Sequence, residues 1–208
     1  MTPYELQILG DSEVGKTALI HQLCYDRFTE THSPTIHDSY RKYFTTENGV
    51  CSVDILETGG LNNDLICPVD CYILVYSITS RDSFTIIPEL YDRLEQLKRV
   101  STHDLAEASP NPGSRVLLVA NKIDQTQKRL VSTKEGQKLA KRLGCGFFEA
   151  SAKQRINIDH ILPKYNSSHS MRLRRPVPEQ GMKHPTPLHK IRKAILNRNK
   201  FRWDKSAF

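Results

Sequence analysis

An α/β fold, with a mostly parallel six-stranded sheet, one antiparallel strand and helices on both faces, is predicted by three observations. Six short segments rich in aliphatic and aromatic residues are each bounded by turn residues. Helical patterns alternate with most of them, which is the order that builds a parallel sheet covered by helices. Between the second and third segments stands Asn48-Gly49, the favoured two-residue hairpin signal, so that one pair is expected to run antiparallel.

The expected strands are "YELQIL" (4–9), "SYRKYF" (39–44), "CSVDIL" (51–56), "CYILVYS" (71–77), "RVLLVA" (115–120) and "CGFFEA" (145–150). The first helical pattern runs from Lys16 to Tyr25. A second runs from Glu89 to Val100, with Leu90, Leu94 and Leu97 on one stripe, and a third from Thr133 to Leu143. This third helix opens with Ser132 and Glu135 at capping-box spacing and stops at Gly144. The stretch 101–114 is rich in Pro, Gly and Ser, has little to bury, and is expected to be a surface insertion.

A chain of 208 residues suffices for one well-buried domain and an appendage, here 1–163 and 164–208. Charge supports that division. From Lys164 to Phe208 there are twelve Lys/Arg against Glu179 and Asp204, a net of +10, which leaves the first 163 residues with 18 basic and 21 acidic side chains, a net of −3. A basic nucleic-acid-binding fold is therefore not implied, and no nucleic-acid partner is expected. Five cysteines (Cys24, Cys51, Cys67, Cys71, Cys145) without paired zinc-type spacing suit thiols in a reducing compartment, so a cytoplasmic location is expected. No stretch approaches the roughly 18 apolar residues of a membrane span.

"GDSEVGKT" (10–17) lies between the first strand and the first helix. In that setting the G-x-x-x-x-G-K-[ST] pattern describes a phosphate cradle. Gly10 and Gly15 let successive N–H groups of Asp11, Ser12, Glu13 and Val14 turn inward. Lys16 sets a cation on the outer phosphates, and the helix start at Thr17 and Ala18 favours negative charge. The Thr17 hydroxyl is a hard oxygen suited to Mg²⁺. The alternative is a glycine-rich turn with a surface lysine.

"NKID" (121–124) ends the fifth strand, at the carboxyl edge where open α/β sheets bind ligands. An Asp124 carboxylate can accept from the ring N–H and the exocyclic amine of guanine, whereas adenine's edge offers no such pair. Asn121 and Lys122 would brace the loop and cover the ring. An ATP-using enzyme is the competing reading, and Asp124 disfavours it.

With "SAK" (151–153) after the sixth strand and "SPTIHDSYRK" (33–42) leading into the second, the chain from about Tyr4 to Asp159 resembles the Ras family of small GTPases, which are P-loop proteins. The resemblance implies GTP and GDP as ligands with Mg²⁺ as cofactor, and phosphates held by Gly10 to Ala18. It also implies Phe28 stacked on guanine, Ser151 and Ala152 at its carbonyl edge by backbone, and Lys153 as a further nucleotide-binding residue. Phe28 as an ordinary core residue is the alternative. Thr35 would join the metal only when the terminal phosphate is present, Gly60 would donate its N–H to that phosphate, and with Lys16 these form the implied catalytic set. Residues 32–40 are implied to meet effector proteins, with exchange factors and GTPase-activating proteins as further partners and a monomer as the working state.

The sequence departs from the family in several places. The motif D-T-A-G-Q here reads Glu57-Thr58-Gly59-Gly60-Leu61. Glu57 keeps the charge but adds a methylene, about 1.5 Å of extra reach, and is expected to bind Mg²⁺ indirectly and weakly. Leu61 cannot hold a water in line for attack, so slow GTP hydrolysis is expected. A pseudo-GTPase that binds nucleotide without cycling is the alternative. Only a short segment containing Pro68 separates Gly60 from the fourth strand, so the second switch helix is expected to be short or absent. His37 replaces an acidic residue of the effector loop, and Pro163 interrupts the position of the family's last helix.

The tail "RRPVPEQGMKHPTP" reads as a linker. "TPLHKIRKAILNRNK" then reads as a short basic helix with Thr186 as N-cap, Pro187 first, and Leu188, Ile191 and Ile195 on one side. With no cysteine after Cys145 a prenyl anchor is not expected. The basic residues can still draw the tail to an anionic membrane surface, at about 1 kcal/mol per Lys/Arg. A solvated, largely disordered tail is the alternative.

Overall fold

The protein is described from a computed structural model, over residues 4–29, 37–46, 49–58, 66–67, 69–101 and 116–161. In chain order the elements are β1 (Tyr4–Gly10), α1 (Lys16–Tyr25), β2 (His37–Thr46), β3 (Gly49–Thr58), β4 (Cys71–Ser77), α2 (Arg81–Thr85), α3 (Ile87–Ser101), β5 (Val116–Asn121), α4 (Thr133–Leu143) and β6 (Gly146–Glu149). Short 3₁₀ turns cover Thr126–Lys128 and Ile158–His160.

The sheet order is β2-β3-β1-β4-β5-β6. Only β2 against β3 is antiparallel; β3, β1, β4, β5 and β6 run parallel to one another. The predicted fold class is therefore the observed one. The hairpin differs in one detail: Gly49 is already paired, opposite Thr46, so the two connecting positions are 47–48 and not Asn48-Gly49. Those two positions lie outside the described residues.

Strand alternation divides the core between the two faces. On one face Leu6, Ile8, Val53, Ile55, Ile73, Val75, Leu117 and Val119 pack under Leu19, Ile20 and Leu23 of α1. On the other, Tyr72, Leu74, Tyr76, Leu118 and Ala120 pack under Leu90, Tyr91 and Leu94 of α3 and Leu139 and Ala140 of α4. Ile158 and Ile161 also close on the first face. Positions from 162 onward, including Pro163 and the expected Thr186 helix, lie outside the described residues, as does nearly all of the expected insertion at 101–114.

Helix ends follow the local chemistry. Ser132 accepts from the backbone of Glu135 while the Glu135 side chain returns to the Ser132 N–H, and Gly144 closes α4 with φ 66°. The five-residue α2 was not anticipated. It is too short for periodicity to reveal, and is capped by Ser80, whose hydroxyl accepts from the Ser83 N–H at 3.2 Å. Among the described residues no helix is long and apolar enough to cross a membrane.

Candidate nucleotide-binding site

Because five strands are parallel, the ends of β1, β3, β5 and β6 emerge at one edge of the sheet, and the segments that follow them share that edge. At the end of β1 the chain turns sharply. A Cβ on Gly10 (φ 150°) would stand 2.2 Å from the Val75 carbonyl oxygen, and one on Gly15 (φ 92°) 2.4 Å from Asn121 Nδ2. Neither position tolerates a side chain, so the loop lies against its neighbours along bare backbone. Glu13 takes a left-handed φ of 60°, and the Ser12 and Glu13 side chains are exposed, away from the packed interior.

Lys16 opens α1 and is 6 % exposed. Its Nζ donates to the carbonyls of Gly10 at 3.0 Å and Asp11 at 2.7 Å, so the ammonium is folded back over the loop it follows. Burial lowers its pKa from the ordinary lysine value, against the opposing pull of Glu57 and Asp11. A buried cation of this kind is set up to meet anionic oxygen.

Glu57, near the end of β3, is 2 % exposed. The Thr17 hydroxyl donates to its Oε1 at 2.6 Å, and Oε2 is buried without a hydrogen-bond partner among the described residues. Burial pushes this carboxyl up, while Thr17 and Lys16 pull it down. The added methylene is thus accommodated by setting the carboxylate directly on the Thr17 hydroxyl. Two hard oxygen donors side by side, one with an orphaned buried partner atom, fit a divalent cation such as Mg²⁺. Among the described residues no group of three or more His, Cys, Asp or Glu forms a metal cluster, so such an ion would depend on other oxygens as well.

At the end of β5 Asn121 is 1 % exposed and spans two loops. Its Nδ2 donates to the Val14 carbonyl at 2.9 Å, and its Oδ1 accepts from the Ala152 N–H at 3.2 Å. Lys122 adopts φ 68°, and its Cε lies 4.0 Å from the Cβ position of Gly15, over the phosphate loop. The Ser151 hydroxyl donates to Asp124 Oδ1 at 2.5 Å, which orients the carboxylate and leaves Oδ2 for another donor. Ser151 and Ala152 are buried, Lys153 is exposed, and the Ser151 N–H already pairs with the Ile156 carbonyl. Phe28 is half-buried against the first core, so packing accounts for at least part of its position.

The predicted residues Gly10 to Ala18, Glu57, Asn121, Lys122, Asp124 and Ser151 to Lys153 are therefore brought to one edge. Thr35 and Gly60, with Leu61, lie outside the described residues. Sequence reasoning missed Gln22, whose buried Nε2 donates to the Ala152 carbonyl at 2.7 Å. It also missed Arg155, which bridges to Asp26 at 2.7 Å and Asp159 at 2.8 Å. No local motif marks either residue, because each acts across elements distant in sequence.

A family model described as the Ras family matches residues 5–169. The chain belongs to the Ras family. Among its curated relatives, Ras-like protein B of Aspergillus fumigatus is 43 % identical over 178 residues, covering 76 % of this chain and 74 % of the relative. Protein ras-2 of Neurospora crassa is 38 % identical over 199 residues, 89 % and 85 % of the two chains. Ras-like protein 1 of Pyricularia oryzae is 40 % identical over 173 residues, 75 % and 70 %. The phosphate-loop segment, the Asn121 brace and the Asp124–Ser151 pair lie together at the sheet edge just described.

Proposed function

We propose that this protein is a guanine-nucleotide switch that binds GTP and GDP with Mg²⁺ and hydrolyses GTP slowly. The observation that carries the reading is Asn121, one buried amide that ties the Val14 carbonyl of the phosphate loop to the Ala152 N–H of the loop beside Asp124. A brace of that kind holds a phosphate cradle and a base reader at a fixed separation, as a nucleoside phosphate requires.

In this reading the amides of residues 10–18 and the Lys16 ammonium hold the phosphates. Asp124, oriented by Ser151, accepts from N1–H and the exocyclic amine of guanine, and the loop 151–153 meets the C6 carbonyl. Lys122 and Phe28 flank the base. Thr17, Thr35 and Glu57 would hold Mg²⁺, which supplies charge neutralisation between the phosphates. Lys16, Thr35 and Gly60 act on the terminal phosphate. Leu61 offers no hydrogen-bonding atom to a nucleophilic water, so the chemical step lacks its positioning group. Residues 32–40 are the surface for effectors, with exchange and activating proteins as regulators, and the basic tail is a weak, salt-sensitive attachment to anionic lipid.

Direct titration of the nucleotide-free protein with GDP, GTP, ADP and ATP tests the binding reading, and equal affinity for guanosine and adenosine phosphates would overturn it. Single-turnover GTP hydrolysis tests the slow step: conversion of Leu61 to Gln is expected to raise the rate. A pseudo-GTPase is the second reading, favoured by the same Leu61. It predicts no measurable hydrolysis and equal thermal stabilisation by GDP and GTP.

A further inference from the structure

We propose that Gln22 is a positioning residue for the purine base, linking the base-reading loop to the helix that carries the phosphate cradle. Gln22 has this role only if the pocket takes guanine nucleotides as proposed above. Ala152 is gripped on both sides: its N–H donates to Asn121 Oδ1 at 3.2 Å and its carbonyl accepts from Gln22 Nε2 at 2.7 Å. Both amides are buried, at 1 % and 5 % exposure. Asn121 holds Ala152 to the phosphate loop at Val14, and Gln22 holds it to α1 six residues after Lys16. The residue whose neighbours meet the C6 carbonyl of the base is therefore registered twice against the elements that hold the phosphates.

The other half of the Gln22 amide shows what this tether costs. Oε1 is buried and has no hydrogen-bond partner among the described residues. An unsatisfied buried acceptor is destabilising and offsets part of what the Nε2 bond to the buried Ala152 carbonyl contributes. The polar atom that is used, Nε2, points at the base loop. Arg155 ties the same loop to Asp26 at the end of α1, but that pair is half-exposed and contributes little on its own. The buried amide is the tether that orders the loop.

The full-length chain with Gln22→Met, which keeps the side-chain length and removes the donor, separates this role from a structural one. Dissociation constants are measured for GDP and for 6-thioguanosine diphosphate, which retains the edge read by Asp124 and replaces only the C6 oxygen with a weak acceptor. Unfolding midpoints are measured without nucleotide. Gln22→Met is expected to weaken GDP about tenfold, the size of one well-made hydrogen bond. The thio-analogue should be weakened much less, a split that the modest fall in the nucleotide-free midpoint expected from the orphaned Ala152 carbonyl does not produce. Equal weakening of both nucleotides, or none, would overturn the proposal. Gln22→Leu is the second variant should the methionine protein fail to fold, with the same split expected. A wild-type protein without preference for GDP over ADP would overturn the guanine reading and this role with it, whereas wild-type preference with no split in the variant overturns this role alone.

Discussion

Gly15 is the residue at which backbone geometry and the site are most tightly joined. Its φ of 92° is a conformation that side chains seldom adopt, and an added Cβ would meet Asn121 Nδ2 at 2.4 Å. Gly15→Ala is therefore expected to lose stability by about 1–3 kcal/mol from backbone strain. It should also displace the Asn121 brace and with it guanine-nucleotide binding. Chemical denaturation and GDP titration check the two effects, and a variant that kept both would show that the loop can relax. Tyr76 makes the opposite case. Its side chain is fully buried, its ring packs edge-on against Phe84 at 4.9 Å, and its hydroxyl has no partner among the described residues. Burial pushes that hydroxyl's pKa upward. Tyr76→Phe keeps the ring and removes the orphan, so stability should rise by on the order of 1 kcal/mol. A lower denaturation midpoint would mean that the hydroxyl has a partner in solution. At this scale the sequence named Gly15 but was silent on Tyr76, because an unsatisfied atom is a property of surroundings and not of a residue type.

At the scale of elements, α4 shows how local chemistry and a distant residue share one group. Glu135 closes the capping box with Ser132 and also receives the Arg81 guanidinium from α2 at 2.5 Å. These partners hold its carboxyl down at about 2, with the Arg81 bond the largest cause, against an ordinary 4.5. A depressed carboxyl binds fewer protons when folded than when unfolded between those values. Its contribution to stability is therefore present above about 4.5 and lost as pH falls toward 2. Glu135→Gln retains an acceptor for the cap but not the charge. Wild type should exceed it in denaturation midpoint at pH 6, with the gap closing as the pH is lowered. A gap independent of pH would remove the charge from the explanation. The capping box and the Gly144 stop were legible because capping uses residues three positions apart. The Arg81 contact, 54 residues away, was not. The same limit explains why α2 went unnoticed and why the hairpin was placed one residue late: one has too few residues for a period, and the other turns on strand register, which is decided by pairing.

Across the whole molecule, the core is divided by the sheet into two halves, and nucleotide is expected to stabilise both through the edge they share. A ligand at one hundred times its dissociation constant adds about 2.7 kcal/mol. Thermal unfolding should therefore shift upward with GDP and GTP and stay unchanged with ATP. A shift of equal size with ATP would contradict a guanine-selective pocket. The first face is closed within the described residues by α1 together with Ile158 and Ile161. Deletion after residue 163 spares both isoleucines, so the shortened chain should still bind GDP while losing attachment to anionic vesicles. Loss of folding on that deletion would instead assign the tail a place on the sheet.

From the sequence alone came the strand and helix pattern, the single antiparallel pair, and the proposals of a phosphate cradle at 10–17 and a guanine-reading Asp124. Each of these is written in residues close together along the chain, where spacing, turn chemistry and apolar period act directly. Only the tertiary structure decided that Asn121 reaches Val14 across 107 positions, that Gln22 reaches Ala152 across 130, and that Glu57 rests on Thr17 across 40. Such contacts depend on which strands lie side by side, and in a sheet ordered β2-β3-β1-β4-β5-β6 neighbours in space are not neighbours in sequence. A buried hydrogen bond between them leaves no periodicity to read, since its energy is set by distance and enclosure and not by the residues on either side.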